Sequence, residues 1–218
     1  MSVCAIIAAA GSGKRMGGDK NKLLIPVGNK KVIERTLERF QETEIIDSII
    51  VVTADEEIRD IAKNYPKVMK IVSGGDTRQK SVYEGILAAE GYDVVAVHDG
   101  ARCLVSKEII KNAVKVAEEK GACVPCADIV DTLKEVSNEF ICGGVDREKV
   151  KAIQTPQCFR RDLLIEAYKN ADGSETDESS LVSKIAKVHI CPGERKNIKV
   201  TTKFDLILAK AILESGEF

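Results

Sequence analysis

The stretch VCAIIAAAGSGKRMGG, residues 3–18, decides the fold. Its first half is a short apolar run, and such a run bounded by glycines is typical of a strand buried in a sheet. Its second half is rich in glycine, which lets backbone N–H groups approach a ligand closely and form an anion-binding nest. We therefore predict a buried strand that ends in a loop suited to phosphate groups.

The same rhythm continues along the chain, where apolar runs alternate with helical patterns. Repeated strand–helix–strand units predict an α/β fold of Rossmann-like type, with a mainly parallel twisted sheet and helices on both faces. Ser106 is the expected N-cap of one helix, and Thr53 with Glu56 has the spacing of a capping box. The predicted strands are 3–9, 48–53, 68–72, 94–98 and 121–126, and the predicted helices are 31–40, 56–64, 78–89 and 106–119.

The rhythm breaks after residue 126. Residues 129–150 alternate polar and apolar side chains and pass through two turn-forming pairs, which favours a hairpin over a helix. We interpret this segment as a β-arm that protrudes from a single domain covering residues 1–218. Further helices are predicted near 161–168, 178–185 and 202–213, and a strand near 188–191.

Composition excludes several classes of protein. The 218 residues are 44% hydrophobic, and 33 Lys and Arg balance 34 Asp and Glu, which predicts a globular domain rather than a disordered chain. A broad nucleic-acid surface needs a basic excess that this chain lacks. Its early apolar run is far shorter than the roughly 18 residues of a membrane span. Seven cysteines, an odd number, argue against a secreted disulfide framework, so we expect a cytoplasmic protein that binds neither nucleic acid nor membrane.

The basic charge is concentrated beside the first strand, where four cations lie near one acid, Asp19: Lys14, Arg15, Lys20 and Lys22. The loop does not match the P-loop, because Ala8 and Arg15 replace its first glycine and its hydroxyl residue. It also departs from the dinucleotide fingerprint, since Met16 stands at the third glycine. A solvated basic loop is the plain alternative, but cations around a polyphosphate would stabilise the charge of a departing pyrophosphate.

Asp99 is a second candidate, because it follows the apolar run 94–98 at the carboxyl end of a predicted buried strand. A carboxylate is costly there unless it meets a ligand, a metal or a cation. Ligands of open parallel sheets bind beyond this end of the strands. The sequence therefore predicts that Asp99 belongs to the same site as the glycine loop.

Taken together, these residues resemble a known family. The pattern from Ala9 to Met16, followed by Lys22 and Leu23, is similar to the nucleotidyltransferase signature. Later motifs narrow the resemblance to the 2-C-methyl-D-erythritol 4-phosphate cytidylyltransferases, and they occur in family order: GGDxRxxSV at 74–82, HDGAR at 98–102, DTLK at 131–134, QTPQ at 154–157, TDE at 176–178 and NIKVT at 197–201.

The resemblance implies a reaction in which CTP gives its CMP group to 2-C-methyl-D-erythritol 4-phosphate, with Mg²⁺ as cofactor and Asp99 beside the metal. It implies the nucleotide-binding residues Ala9, Ala10, Gly11, Gly13, Gly75, Asp76, Ser81, Asp99 and Gly100. It implies the substrate-binding residues Arg102, Thr132, Arg147, Thr155 and Lys199. The catalytic cations would be Arg15, Lys22, Arg147 and Lys199.

In the resembled family the arm reaches a neighbouring subunit, which implies a homodimer with shared sites. Two other interpretations stay open at this point. A cytidylyltransferase for another polyol phosphate, such as ribitol 5-phosphate, would have much the same nucleotide half-site. A non-catalytic nucleotide-binding protein would bind CTP without forming pyrophosphate.

Overall fold

A computed structural model of the chain describes residues 1–11 and 21–216. Its strands are β1 (Val3–Ala8), β2 (Pro26–Val27), β3 (Lys30–Lys31), β4 (Ser48–Val52), β5 (Val68–Val72), β6 (Val94–Asp99), β7 (Ala122–Asp128), β8 (Lys134–Ser137), β9 (Phe140–Gly144), β10 (Lys151–Ile153), β11 (Gln157–Arg160) and β12 (His189–Pro192). Its α-helices are α1 (Val32–Gln41), α2 (Glu56–Ala62), α3 (Arg78–Ala88), α4 (Lys107–Lys120), α5 (Arg161–Lys169), α6 (Glu178–Val182) and α7 (Lys203–Glu214).

The central sheet has the order β10-β7-β11-β6-β1-β4-β5, and β12 also pairs with β7. Strand β1 lies inside the sheet between β6 and β4 and runs parallel to both, with Cys4 opposite Ser48 on one side and Val95 on the other. Only β10 and β11 are antiparallel to the strands they contact in this sheet, among the residues described. The mainly parallel arrangement confirms the predicted α/β class.

Helices cover both faces of the sheet, and each face has its own apolar cluster. Helices α1, α2, α4 and α7 pack on one face, whereas α3, α5 and α6 pack on the other. Helix α3 approaches β1 very closely at Gly85, where an added Cβ would lie 2.5 Å from Cγ2 of Ile6. This contact fixes α3, and with it the site residues at its first turn, against the central strand.

The predicted arm is a hairpin in which β8 and β9 pair antiparallel. Asn138 and Glu139 form its turn with positive φ angles of 46° and 70°. The hairpin carries three exposed apolar side chains, since Val136, Phe140 and Ile141 are 63%, 75% and 70% exposed. The arm leaves the sheet after β7, and β10 returns beside that strand.

Two local predictions need correction. Asp55, and not Thr53, is the N-cap of α2, because its carboxylate accepts hydrogen bonds from the N–H groups of Glu57 and Ile58. Strand β11 was not predicted, and it lies between β6 and β7. Ser106 caps α4 as expected. Within the described ranges, no helix combines the length and apolar character that crossing a membrane requires.

Candidate active site

A cavity of about 350 Å³ opens at the carboxyl ends of β1 and β6. This is the edge of a parallel sheet at which ligands of such folds bind. Four parts of the chain meet here: the region of residues 8–11 and 22–23, the loop before α3 with its first turn, the end of β6, and Lys199. The described residues that line it are Ala8, Ala10, Gly11, Lys22, Leu23, Gly75, Asp76, Thr77, Arg78, Ser81, Asp99, Gly100, Ala101 and Lys199.

Asp99 is the electrostatic centre of the cavity. Its Oδ2 atom lies 2.7 Å from Nζ of Lys199 and 3.9 Å from Nε of Arg102, and its Oδ1 atom lies 3.5 Å from Nε of Arg78. Burial raises the pKa of this carboxyl group, but the three cations outweigh burial and hold the pKa at about 2. Asp99 is therefore ionised at neutral pH, and its surroundings carry more positive than negative charge.

Arg78 is held from its other side by a buried carboxylate. Its Nη1 and Nη2 atoms donate to the two oxygens of Glu178 at 2.8 and 2.9 Å. The Glu178 side chain is only 1% exposed, and it also accepts a hydrogen bond of 3.2 Å from the hydroxyl group of Tyr168. The guanidinium thus bridges α6 and the end of β6.

The loop before α3 lies directly against the end of the first strand. A Cβ added at Gly74 would lie 2.5 Å from Cβ of Ala10 and 2.7 Å from Oγ of Ser81, so only glycine fits there. The Ser81 hydroxyl lies 2.8 Å from the carbonyl oxygen of Thr77 and 3.1 Å from that of Gly75. These contacts fix the loop 74–76, of which Gly75 and Asp76 line the cavity.

A chain of hydrogen bonds behind Asp99 determines where the proton of Thr155 points. Nε2 of His98 lies 3.2 Å from the carbonyl oxygen of Arg102, which can only accept, so Nε2 carries the hydrogen. Burial lowers the pKa of His98 to about 4, so its Nδ1 is unprotonated at neutral pH and accepts from the Thr155 hydroxyl at 3.0 Å. The backbone N–H of Asp99 donates to the same hydroxyl oxygen at 3.2 Å. The hydroxyl proton of Thr155 is therefore donated to His98 and is not available to a ligand.

The cavity suits a metal ion that arrives bound to the phosphate groups of a ligand. No group of three or more His, Cys, Asp or Glu side chains able to hold a metal occurs in residues 1–11 and 21–216. Mg²⁺ commonly binds through one or two carboxylates together with waters and substrate phosphates. The ionised Asp99 fits that pattern as a single protein ligand.

Comparison with known proteins identifies the family. Residues 3–215 match the family model described as "IspD: 2-C-methyl-D-erythritol 4-phosphate cytidylyltransferase". The chain belongs to this family. A 2-C-methyl-D-erythritol 4-phosphate cytidylyltransferase of Clostridium botulinum is 39% identical, over 97% of this chain and 99% of the relative. One of Bacillus cereus is also 39% identical, over 95% and 96%.

Solved structures of family members have the same fold. The 4-diphosphocytidyl-2C-methyl-D-erythritol synthase of Anaerococcus prevotii superposes with a TM-score of 0.87, at 31% identity and over 98% of this chain and 96% of that one. The 2-C-methyl-D-erythritol 4-phosphate cytidylyltransferase of Thermus thermophilus gives a TM-score of 0.80, at 30% identity and over 96% and 98%.

The structure brings most of the predicted family site together. Arg102 lies beside Asp99 and donates to the carbonyl oxygen of Asn197 at 2.7 Å. Ala9 does not line the cavity, since its side chain is buried and its N–H donates to the carbonyl oxygen of Val52 at 2.9 Å, and its nucleotide-binding role stays a prediction. The predicted residues that line the cavity are Ala10, Gly11, Lys22, Gly75, Asp76, Ser81, Asp99, Gly100 and Lys199.

The other predicted residues that the structure describes lie outside the cavity lining. Thr132 and Arg147 are on the arm, and Arg147 donates to the carbonyl oxygen of Val130 at 2.9 Å rather than lining the cavity. Thr155 is buried behind Asp99, where its hydroxyl can offer a ligand only an acceptor. Gly13 and Arg15 lie outside the described residues, so their assignments stay predictions.

Sequence reasoning missed Arg78 and Glu178. Both belong to motifs that carry the family resemblance, yet neither was given a role. The signal for Arg78 was its spacing: it precedes Ser81 by three residues and therefore lies on the same face of α3. Glu178 had no comparable signal, because it is 100 residues from Arg78 in the chain.

Proposed function

We propose that this protein transfers the CMP group of CTP to 2-C-methyl-D-erythritol 4-phosphate, which gives 4-diphosphocytidyl-2-C-methyl-D-erythritol and pyrophosphate. The observation that carries the proposal is a cation-rich cavity at the sheet edge of a chain that belongs to this family. CTP and a phosphomonoester together bring a large negative charge, and this cavity contains Lys22, Arg78 and Lys199.

The reaction is a displacement at the α-phosphorus of CTP. A phosphate oxygen of the acceptor forms a new bond to the α-phosphorus. The bond between the α-phosphorus and the oxygen that bridges it to the β-phosphate breaks, and its electron pair leaves with pyrophosphate. A phosphomonoester with a second pKa near 6 is largely deprotonated at neutral pH, so no general base is required. Catalysis then depends on positioning and on stabilisation of the developing charge.

In this proposal different residues contact the triphosphate, the cytosine base and the acceptor phosphate. Lys22, with Arg15, stabilises the charge that develops on the transferred phosphorus and the leaving pyrophosphate. The loop 74–76 and Ser81 bind the cytosine base. Hydrogen bonds to the edge of this base reject other bases, because a wrong base would leave polar groups of the site unpaired. Lys199 and Arg147 orient the acceptor phosphate, and Arg102 adds a guanidinium close to Asp99.

We propose Mg²⁺ as the cofactor, carried in on the triphosphate and contacted by Asp99. The ion supplies charge neutralisation to the phosphates when it is bound. Asp99 supports this assignment because its carboxylate stays ionised and lies at the cavity edge.

We propose a homodimer in which the arm of one copy completes the site of the other. Thr132 and Arg147 are assigned to the acceptor by resemblance, although both lie on the arm and outside the cavity lining. The exposed side chains of Val136, Phe140 and Ile141 give the arm an apolar surface that a second copy would cover. We also propose a cytoplasmic location, which the seven free cysteines support.

One assay tests the reaction. Pyrophosphate release is measured with each of the four nucleoside triphosphates, Mg²⁺, and either 2-C-methyl-D-erythritol 4-phosphate or ribitol 5-phosphate. We expect release with CTP and the methylerythritol acceptor only. Faster release with ribitol 5-phosphate would reassign the acceptor, and CTP binding without release from either acceptor would indicate a nucleotide-binding protein.

A substitution at Gly74 tests whether the loop 74–76 binds CTP. Gly74→Ala places a Cβ against Ala10 and Ser81, so the loop must shift by about 1 Å, and we expect the Kd of CTP to rise about 10-fold. Calorimetric titration with Mg²⁺–CTP measures the change. Gly144→Ala is the control, because its Cβ would meet only Nζ of Lys134, at 3.8 Å, among the described atoms. Equal CTP affinity in both variants would contradict the assignment of this loop.

A further inference from the structure

Glu178 is not among the described residues that line the cavity, yet one side chain connects it to the site. Its two oxygens hold Nη1 and Nη2 of Arg78 at 2.8 and 2.9 Å. The Nε edge of the same guanidinium lies 3.5 Å from Oδ1 of Asp99, and Arg78 lines the cavity. A continuous polar path therefore leads from α6 through the first turn of α3 to the end of β6.

The geometry of the pair restricts Arg78 strongly. A guanidinium has five N–H donors in one plane, and a carboxylate that takes two of them in parallel fixes the orientation of that plane. The Tyr168 hydroxyl donates to Oε1 of Glu178 and satisfies a further lone pair of this buried carboxylate, whereas the two-point contact alone sets the plane of the guanidinium. Because Glu178 takes the two Nη atoms, the Nε edge is the part of Arg78 that faces Asp99.

The ion pair of Glu178 with Arg78 is also an energetically costly means of joining α6 to α3. Its side chain is 1% exposed, and a buried ion pair often stabilises a protein no better than apolar side chains of similar volume. Arg78, in contrast, is 34% exposed and reaches the cavity. A pair that only joined α3 to α6 would not need its cationic member to face a binding site.

We infer that Glu178 is a positioning residue of the nucleotide site: it clamps Arg78 so that the guanidinium faces both Asp99 and the phosphate oxygens of the bound nucleoside triphosphate. This inference rests on the proposed function, because it takes CTP as the occupant of the cavity. Glu178 itself touches neither the nucleotide nor the acceptor and acts only through Arg78.

A double-mutant cycle on Mg²⁺–CTP binding tests this inference. Glu178→Gln keeps the size of the side chain but can accept only one of the two N–H groups, so we expect the Kd to rise about 10-fold. In an Arg78→Met background the same substitution should change the Kd by less than about twofold, because the residue through which it acts is gone. An unchanged Kd for Glu178→Gln, or equal effects in both backgrounds, would overturn the inference.

Two further variants separate positioning from helix packing. Tyr168→Phe removes the third hydrogen bond of Glu178 but leaves the fork intact, and we expect an unchanged Kd; a 10-fold rise there would overturn the inference. Where the single variants fail to fold, Arg78→Met/Glu178→Leu replaces the whole pair by apolar side chains. We expect this protein to keep its melting temperature and to bind Mg²⁺–CTP about 10-fold more weakly.

The outcomes also separate this inference from the proposed function. Normal CTP binding by the folded Arg78→Met/Glu178→Leu protein would overturn the positioning role alone. Failure of the unchanged protein to bind Mg²⁺–CTP would overturn the proposed function and this inference with it. The binding measurement needs no turnover, so a defect in the acceptor half of the site does not affect it.

Discussion

Lys22→Ala is expected to lower kcat by about 10²- to 10³-fold, the usual cost of removing one group that stabilises transition-state charge. Lys22 lines the cavity directly after the glycine loop, and its Nζ donates to the carbonyl oxygen of Val200 at 2.9 Å. This contact holds the ammonium group beside the segment that carries Lys199. The charge on the α-phosphorus and the departing pyrophosphate grows during the reaction, so the loss should fall mainly on kcat and less on the KM for CTP.

The measurement is steady-state pyrophosphate release with saturating CTP and acceptor. Lys63→Ala is the matched control, since Lys63 follows α2, is 64% exposed and pairs with Asp60 at the surface. Both variants should keep the melting temperature of the unchanged protein. Turnover of Lys22→Ala close to that of Lys63→Ala would remove Lys22 from the reaction.

The part of this site that sequence predicts best is the part built on local patterns. The apolar run of β1 and the run that ends at Asp99 each predict a strand from their own residues. Parallel pairing then brings the carboxyl ends of both strands to the same edge of the sheet. This explains why Gly11, Lys22 and Asp99 meet in one cavity as expected. Burial on both faces leaves such strands little freedom in how they pair.

The features that sequence did not predict depend on long-range partners. Strand β11 has only four residues, and its Phe159 and Cys158 are buried because they lie between β6 and β7, a position that no periodicity reveals. Thr53 still pairs with the sheet, since its N–H donates to the carbonyl oxygen of Val72 at 2.8 Å, so the helix begins later and Asp55 is its cap. The pairing of Arg78 with Glu178 requires α3 and α6 to be placed first.

Subunit complementation should restore activity to two inactive variants. We expect Arg147→Ala and Lys199→Ala each to lower turnover by about 100-fold, because each removes a cation assigned to the acceptor phosphate. The two chains are then co-expressed with different affinity tags, and the mixed dimer is purified through both tags. If the arm acts on the partner's site, this dimer should recover about half of the activity of the unchanged protein, since two-fold symmetry gives one intact site of two.

Lys199 and Arg147 lie in different parts of the protein. Lys199 is fixed in the cavity by its 2.7 Å contact with Asp99, whereas Arg147 is on the arm and contacts only its own segment among the hydrogen bonds described. In the mixed dimer, the Arg147→Ala chain keeps Lys199 in its cavity and receives an intact arm from its partner. An arm acting within its own chain would leave both sites defective and the mixture inactive. A dimer purified from two Lys199→Ala chains is the control, and failure to recover any doubly tagged protein would contradict the dimer itself.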